Sequence, residues 1–264
     1  TLEDPYTRFL DPKEFSEMRI DTTGRLSGIG IQISMDNDTN DLTVISPIEG
    51  SPAFEAGIQA NDIIFSIDGK STNGMNMAEA VSLIRGKEGT SVTLGISREK
   101  LSFNVTLVRA RIEISSVVSR INNTKYELKV AYLRLKQFNS NAPKDMQKAI
   151  VKLESENPSG YILDLRGNPG GLLESSILIA RQWIDKGTIV TTRTGDGVDE
   201  VRKANSRALT DKPVVVLVDQ GSASASEILA GAIQDNKRGI LVGKKTFGKG
   251  LVQSVRSLSD GSGL

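Results

Sequence analysis

The sequence predicts a multidomain α+β chain: a small helical N-terminal arm, a compact β-rich module, and an α/β region built on a largely parallel sheet. Three observations lead there. At 264 residues the chain is longer than one small domain usually is, so two or three domains are expected. Residues 25 to about 110 carry short strand-like runs separated by turns of Gly, Asn, Asp and Pro. From about residue 111 to 264, apolar strand-like runs alternate with helix-period segments, the pattern of a parallel sheet with helices packed on it.

Residues 1 to 24 read as helical turns broken at Asp4-Pro5 and Asp11-Pro12, with Tyr6, Phe9, Leu10 and Phe15 available to pack on a neighbour. The segment is too small to bury a core alone and is expected to be an arm or cover. In the module, residues 25–110, strands are expected at Ile29–Ser34, Leu42–Ile45, Ile63–Ile67, Ser91–Ser97 and Leu101–Leu107. A helix is expected at Met77–Ile84, where Met77, Ala80, Val81 and Ile84 share a face and Gly86 follows the end. In the third region Val130–Leu135 reads as a strand, Lys144–Glu156 as a helix, and Gly160–Leu165 as a buried strand. Leu172–Lys186 reads as a helix, and Val214–Val218 and Ile240–Val242 as two further apolar runs with a helix pattern between them.

Composition narrows the chemistry. A net charge of +1 gives no bulk attraction to nucleic acid or a membrane surface. No apolar stretch approaches the roughly 18 residues of a membrane span, and no signal peptide is visible. Cysteine is absent, which excludes disulfides, thiol catalysis and Cys-ligated metals. Histidine is absent too, so neither a Ser-His-Asp triad nor a His-based zinc site can form. No metal or cofactor is expected. A serine nucleophile here would need a lysine, a carboxylate or a terminal amine as its base.

Two loops carry candidate chemistry. Gly221-Ser222-Ala223-Ser224-Ala225-Ser226 lies between a strand and a helix pattern, the setting in which an acyl-transfer serine is displayed beside backbone N–H groups. Ser224-Ala225-Ser226-Glu227 equally fits a capping box, in which the Ser224 side chain accepts from the Glu227 N–H and only starts a helix. Arg166-Gly167-Asn168-Pro169-Gly170-Gly171 leaves approachable N–H groups before a helix, which suits an anion or oxyanion, or simply a tight turn. Gly239–Thr246 fails as a P-loop, because the glycine spacing is one residue short and no Ser/Thr directly follows Lys244.

Ser27-Gly28-Ile29-Gly30-Ile31, Ser51–Ile58 and Asn61–Gly69 together resemble a PDZ domain. The resemblance implies capture of a protein's free C-terminal tail, with Gly28, Ile29, Gly30 and Ile31 as the carboxylate loop and Met77–Ile84 as the other groove wall. Asn61 stands where glycine is usual, and Asn tolerates the left-handed conformation. This module followed by Leu165–Leu173 (LRGNPGGLL), Gly221–Gly231 (GSASASEILAG) and Lys245–Gln253 (KTFGKGLVQ) strongly resembles the C-terminal processing peptidases, or tail-specific proteases. Asp4–Leu10 and Val130–Phe138 resemble the same family, so the match is collinear over essentially the whole chain.

That resemblance implies a crotonase/Clp-like peptidase core at residues 111–264, Ser224 as nucleophile, Lys249 as general base and Gln253 orienting it. It implies backbone N–H groups of Gly170 and Ala225 as the oxyanion hole. Ser226 is expected to start the helix, Lys244 and Lys245 to be solvated, and Glu227 to cap the helix or bond near the dyad. On an extended strand Lys249 and Gln253 would stand about 13 Å apart, so their contact requires a bend. Arg109 matches a family arginine that couples module position to activation; it also reads as an exposed strand-end arginine. The expected function is a serine endopeptidase cleaving near free C-termini, a photosystem precursor being one family substrate, in the periplasm or thylakoid lumen. Family members continue with further strands after residue 264, so the C-terminal end of the core is expected to be missing. The alternatives are a tail-binding scaffold with an inactive protease-like domain and, more distantly, a crotonase-like acyl-thioester enzyme.

Overall fold

The structure, a computed structural model, describes residues 7–36, 39–99, 101–113, 115–197 and 199–264. Asp4, Pro5 and Tyr6 lie outside the described residues. The chain divides into two compact units: residues 25–114, and residues 1–24 together with 115–264.

Helix α1, Pro12–Thr23, follows the Asp11-Pro12 break. Asp11 accepts from the Lys13 and Glu14 N–H groups, and Glu14 reaches back to the Asp11 N–H, a complete capping box. Gly24 closes the helix at φ 65°. The Leu10 and Gly263 N–H groups donate to each other's carbonyls, and the Thr22 carbonyl accepts from the Ser140 N–H. The arm is thus stitched to the second unit's remaining chain just before α4 and again at its C-terminal end.

The 25–114 unit begins with β1, Arg25–Gly28, then β2, Ile31–Met35, β3, Leu42–Pro47, and a single turn, α2, Pro52–Glu55. The expected strand at Ile29–Ser34 is interrupted because Gly30 takes φ 75°. A Cβ there would run into the Ser51 side chain, so only glycine fits. β4, Ile63–Ile67, β5, Lys70–Ser71, α3, Met77–Ile84, β6, Ser91–Arg98, β7, Leu101–Val108, and β8, Ala110–Glu113, complete the unit. The main sheet runs β2-β3-β4-β6-β7, with β5 on β4, while β8 pairs antiparallel with β1. Its core includes Val44, Ile64, Ile67, Val92, Leu94 and Ile96. Asn61 takes φ 69°, as its side chain allows.

In the second unit the sheet is β15-β14-β11-β10-β9. Its strands are β9, Val117–Asn123, β10, Lys129–Leu135, β11, Gly160–Asp164, β14, Val214–Val218, and β15, Gly239–Gly243. β10, β11, β14 and β15 are parallel, and β9 runs antiparallel to β10. The crossovers are α4, Ala142–Glu154, α5, Leu173–Trp183, and α6, Ala225–Asp235. A polar hairpin of β12, Thr188–Arg193, and β13, Asp199–Lys203, follows α5. Leu133, Leu163 and Val216 share one core with Met146, Ile150, Ile177, Trp183, Leu229 and Ile233 from the three helices. Because four strands are parallel, the segments after β10, β11, β14 and β15 all emerge at one edge of the sheet. There the sequence has placed its glycine loop, its serine turn and its Gly-flanked lysine.

Candidate active site

Ser224 sits at the N-cap of α6 with φ 53° and ψ −113°, a strained conformation for a residue with a Cβ. The turn before it is held from below. The Ser222 hydroxyl, fully buried, donates to the Leu165 carbonyl at 2.8 Å and accepts from the Asp219 N–H at 3.0 Å. Asp219 Oδ1 accepts from both the Gly167 and Gly221 N–H groups at 2.9 Å, tying the glycine loop to the serine turn. Those N–H bonds hold the Asp219 carboxyl below its ordinary range. Ser226 does not start the helix. It is the second helical residue, and its hydroxyl turns inward to donate to the Asn168 carbonyl at 2.9 Å.

The glycine loop lies directly against the serine. A Cβ on Gly170, whose φ is 102°, would stand 2.7 Å from the Ala223 carbonyl oxygen, 2.9 Å from the Ala225 nitrogen and 3.0 Å from the Ser224 Cβ. The space before Ala225 is therefore open only because residue 170 is glycine. Among the described residues the Ala225 N–H makes no hydrogen bond, as expected for the first turn of a helix. The Gly170 N–H, by contrast, donates to Asn168 Oδ1 at 2.9 Å. Behind the loop Asp164, buried at the end of β11, takes a two-pronged pair from Arg166 and the Tyr132 hydroxyl at 2.7 Å. Burial pushes the Asp164 carboxyl up, and Arg166 and Tyr132 outweigh it and hold it at about 2.

Glu227 joins the parts. Its Oε2 accepts from the Ser224 N–H at 2.8 Å and the Lys249 N–H at 2.9 Å. Its Oε1 accepts from the Gly248 N–H at 2.6 Å and the Thr246 hydroxyl at 2.8 Å. The Ser224 and Lys249 main-chain nitrogens therefore share one oxygen, and their separation cannot exceed the sum of those two bonds. Burial pushes the Glu227 carboxyl up, yet the four donors prevail and leave it below its ordinary value. The Glu227 N–H goes to the Ser224 main-chain carbonyl at 2.8 Å. The expected capping thus takes the form of the Glu227 side chain holding the serine's N–H.

After β15 the chain forms no regular strand through Arg256. Gly248 takes φ 91°, and the irregular, non-extended chain that follows brings the Lys249 Nζ to 2.6 Å from Gln253 Oε1, a contact an extended strand could not make. Lys249 is half-buried, while Lys244 and Lys245 are exposed. Among the described residues no hydrogen bond joins Lys249 Nζ to the Ser224 side chain. Lys249 and Gln253 instead line a pocket of about 470 Å³ with Thr7, Arg8, Leu10 and Met18 of the arm. The sequence did not connect the arm with the lysine; the Leu10–Gly263 pairing that joins them is long-range and leaves no local pattern.

In the 25–114 unit, β2 is an edge strand that, among the described residues, pairs only with β3, leaving its outer side the place where a peptide strand could add. The Ile29 carbonyl accepts from the Ala53 N–H and the Gly30 carbonyl from the Ile48 N–H, so the loop's carbonyls face the module interior. Arg109 is not an exposed strand-end arginine. It is 8% exposed, and its guanidinium donates to the carbonyls of Leu83, Ile84 and Ser91 and to the Thr90 hydroxyl. It clamps the C-terminal end of α3 to the start of β6.

A parallel sheet presenting a strained serine at a helix N-terminus beside a glycine loop, in a chain that also carries a PDZ-like module, is the architecture of a PDZ-bearing serine peptidase. Residues 129–264 match peptidase family S41 and residues 43–98 match the PDZ domain; the chain belongs to peptidase family S41. Among its relatives, it is 48% identical to a carboxyl-terminal-processing protease of Synechocystis sp., covering 100% of this chain and 62% of that protein. It is 41% identical to carboxyl-terminal-processing peptidase 2, chloroplastic, of Arabidopsis thaliana, covering 100% of this chain and 53% of that protein. Among solved structures, the photosystem II D1 C-terminal processing protease superposes with a TM-score of 0.57 at 36% identity, over 99% of this chain and 72% of that one. The chain thus spans somewhat over half the length of these curated relatives. Among the described residues no helix is long and apolar enough to cross a membrane.

Proposed function

We propose that the full protein is a serine endopeptidase that selects protein substrates by their free C-terminal tail and cleaves near it with a Ser224–Lys249 dyad. The observation that carries this reading is the Glu227 carboxylate, which binds the main chains of Ser224 and Lys249 through one oxygen. Such a bond has a clear use if the two side chains act together. The tail would add to β2, with its carboxylate at the Gly28–Ile31 loop. Neutral Lys249 Nζ takes the proton of the Ser224 hydroxyl, and Ser224 Oγ attacks the scissile carbonyl. The Ala225 and Gly170 N–H groups hold the oxyanion. The leaving amine departs with the proton from Lys249; neutral Lys249 then deprotonates a water that attacks the acyl-enzyme, and the proton returns to Ser224 Oγ as the acid product leaves.

Gln253 holds the Lys249 amine in the arrangement described above and surrenders it when substrate enters. The family resemblance and the chloroplastic relative support work outside the cytoplasm, in a periplasm or thylakoid lumen, with a photosystem precursor among candidate substrates. The test uses the full protein with a substrate bearing an apolar free tail, its amidated counterpart, and Ser224→Ala. Cleavage of the free-tailed substrate, slowed by amidation and lost in Ser224→Ala, is expected. Tail binding without cleavage by the wild type would leave a scaffold, and cleavage surviving Ser224→Ala would remove the dyad.

A further inference from the structure

Asn168 is fully buried, and each of its four polar atoms is engaged. Its N–H donates to the Leu165 carbonyl at 3.1 Å, and its carbonyl accepts from the Ala223 N–H at 3.1 Å and the Ser226 hydroxyl at 2.9 Å. Its Nδ2 donates to the Leu135 carbonyl at 2.8 Å, and its Oδ1 accepts from the Gly170 N–H at 2.9 Å. One residue thus fastens the glycine loop to β10 on one side and to the serine turn on the other. Pro169 has no N–H and a fixed φ, which lets the Asn168 side chain reach the next available donor. That donor is the N–H adjoining the space in front of Ala225.

We propose that Asn168 is the positioning residue of the oxyanion site: it latches the glycine loop to the serine turn and holds the Gly170 N–H until the oxyanion takes it. This rests on Ser224 being the nucleophile and Gly170 an oxyanion donor. A buried N–H left without an acceptor in the resting enzyme would be costly, and water at that point would have to be expelled at each turnover. A neutral amide oxygen satisfies the N–H yet competes weakly with an anion, because a charged acceptor draws a hydrogen bond about twice as strongly.

The exchange separates the two variants, whereas a structural role brings them together. In Asn168→Asp the carboxylate keeps the Gly170 N–H, more tightly, and sets a negative charge beside the developing oxyanion. In Asn168→Ala the N–H is released but the latch to β10 is lost. Asn168→Asp also turns an oxygen toward the Leu135 carbonyl that Nδ2 now serves, so its loss alone is not diagnostic; if Asn168 only shaped the loop, Asn168→Ala, which loses both side-chain bonds, would lose kcat as far as Asn168→Asp. The experiment measures kcat and KM of both variants in the full protein on one tailed substrate, and the affinity of a peptidyl boronic acid. Expected are a kcat for Asn168→Asp at least about tenfold below that of Asn168→Ala and on the order of 100-fold below wild type. KM should stay within about threefold, and boronate affinity should fall in parallel with kcat. An Asn168→Ala variant as slow as Asn168→Asp, or slower, overturns the exchange; so does a loss carried by KM. If Asn168→Ala melts early, Asn168→Ser replaces it in the comparison. Ser224→Ala run alongside separates the two failures: cleavage surviving it refutes the dyad, whereas an inert Ser224→Ala with the two Asn168 variants equally slow refutes only the role of Asn168.

Discussion

Replacing Glu227 by Gln changes one oxygen to an NH2 group and removes a charge, with little change in shape. In the native site both carboxylate oxygens face only donors: Ser224 and Lys249 N–H on one, Gly248 N–H and Thr246 hydroxyl on the other. The amide must set its NH2 against one of these pairs. The Thr246 hydroxyl can rotate and accept, so the NH2 settles on that side and faces the Gly248 N–H. The Gly248 N–H, on an exposed residue, then turns to water, and the other bonds fall from the charge-assisted to the neutral class. The sum is about 1–2 kcal/mol, enough to lower Tm by about 2–8 °C in a unit of this size. The Gly248 bend should loosen with it, so Lys249 loses its register with Ser224 and kcat should fall about 10- to 100-fold. Tail affinity, a property of the other unit, should not change.

The pH dependence of that difference follows from the direction of the Glu227 shift. Its folded pKa lies below its ordinary value of 4.5. Its stabilisation is therefore fully present above the unfolded value and is lost as pH falls through the folded one. The gap between wild type and Glu227→Gln should stay constant from about pH 6 to 8 and close only on acidification below the unfolded value. Stopped assays on the tailed substrate and melts at each pH read both quantities. Wild-type kcat and Tm in Glu227→Gln, or a gap that closes near neutrality, would refute the reasoning.

Two further outcomes are expected. Gly170→Ala forces a Cβ onto the Ala223 carbonyl and into the space before Ala225 at a positive φ; kcat should fall at least about 100-fold, with a stability loss of about 1–2 kcal/mol in a denaturant melt. Arg109→Ala removes four hydrogen bonds, two to carbonyls at the end of α3 and two to Thr90 and Ser91 at the start of β6; affinity for a free-tailed peptide should drop severalfold by calorimetry, and the 25–114 unit should lose about 2–4 kcal/mol. Full substrate-stimulated cleavage by Arg109→Ala would also dispose of any activating role for that residue.

Elements with a strong local signal were legible before the structure. Ile63–Ile67, Met77–Ile84 and Val214–Val218 coincide with β4, α3 and β14, because each has an apolar period bounded by turn or cap residues. The alternation that predicted a parallel sheet reflects the crossovers through α4, α5 and α6. β9 and the β12–β13 hairpin went unseen. β9 is a sheet edge with little apolar alternation, and the hairpin is polar and held in part by the Arg193–Asp199 pair, which no periodicity marks. At the site, residue types were legible and their wiring was not. S-x-x-E announced a capping glutamate, but nothing local says that its carboxylate will also receive the N–H groups of Gly248 and Lys249. Likewise N-P-G reads as a turn, and only the packed loop reveals which N–H the asparagine holds.

The oxygen shared by Ser224 and Lys249 also bears on kinetics. If Ser224 and Lys249 act as the proposed dyad, the lysine's main chain is already held beside the serine, and torsions along its aliphatic side chain carry the amine from Gln253 toward the Ser224 hydroxyl. Rotamer exchange of that kind runs on picosecond-to-nanosecond times. Engagement of the base would then be too fast to limit turnover. Any lag measured after substrate addition would have to come from tail capture, from reorganisation of larger pieces, or from product departure.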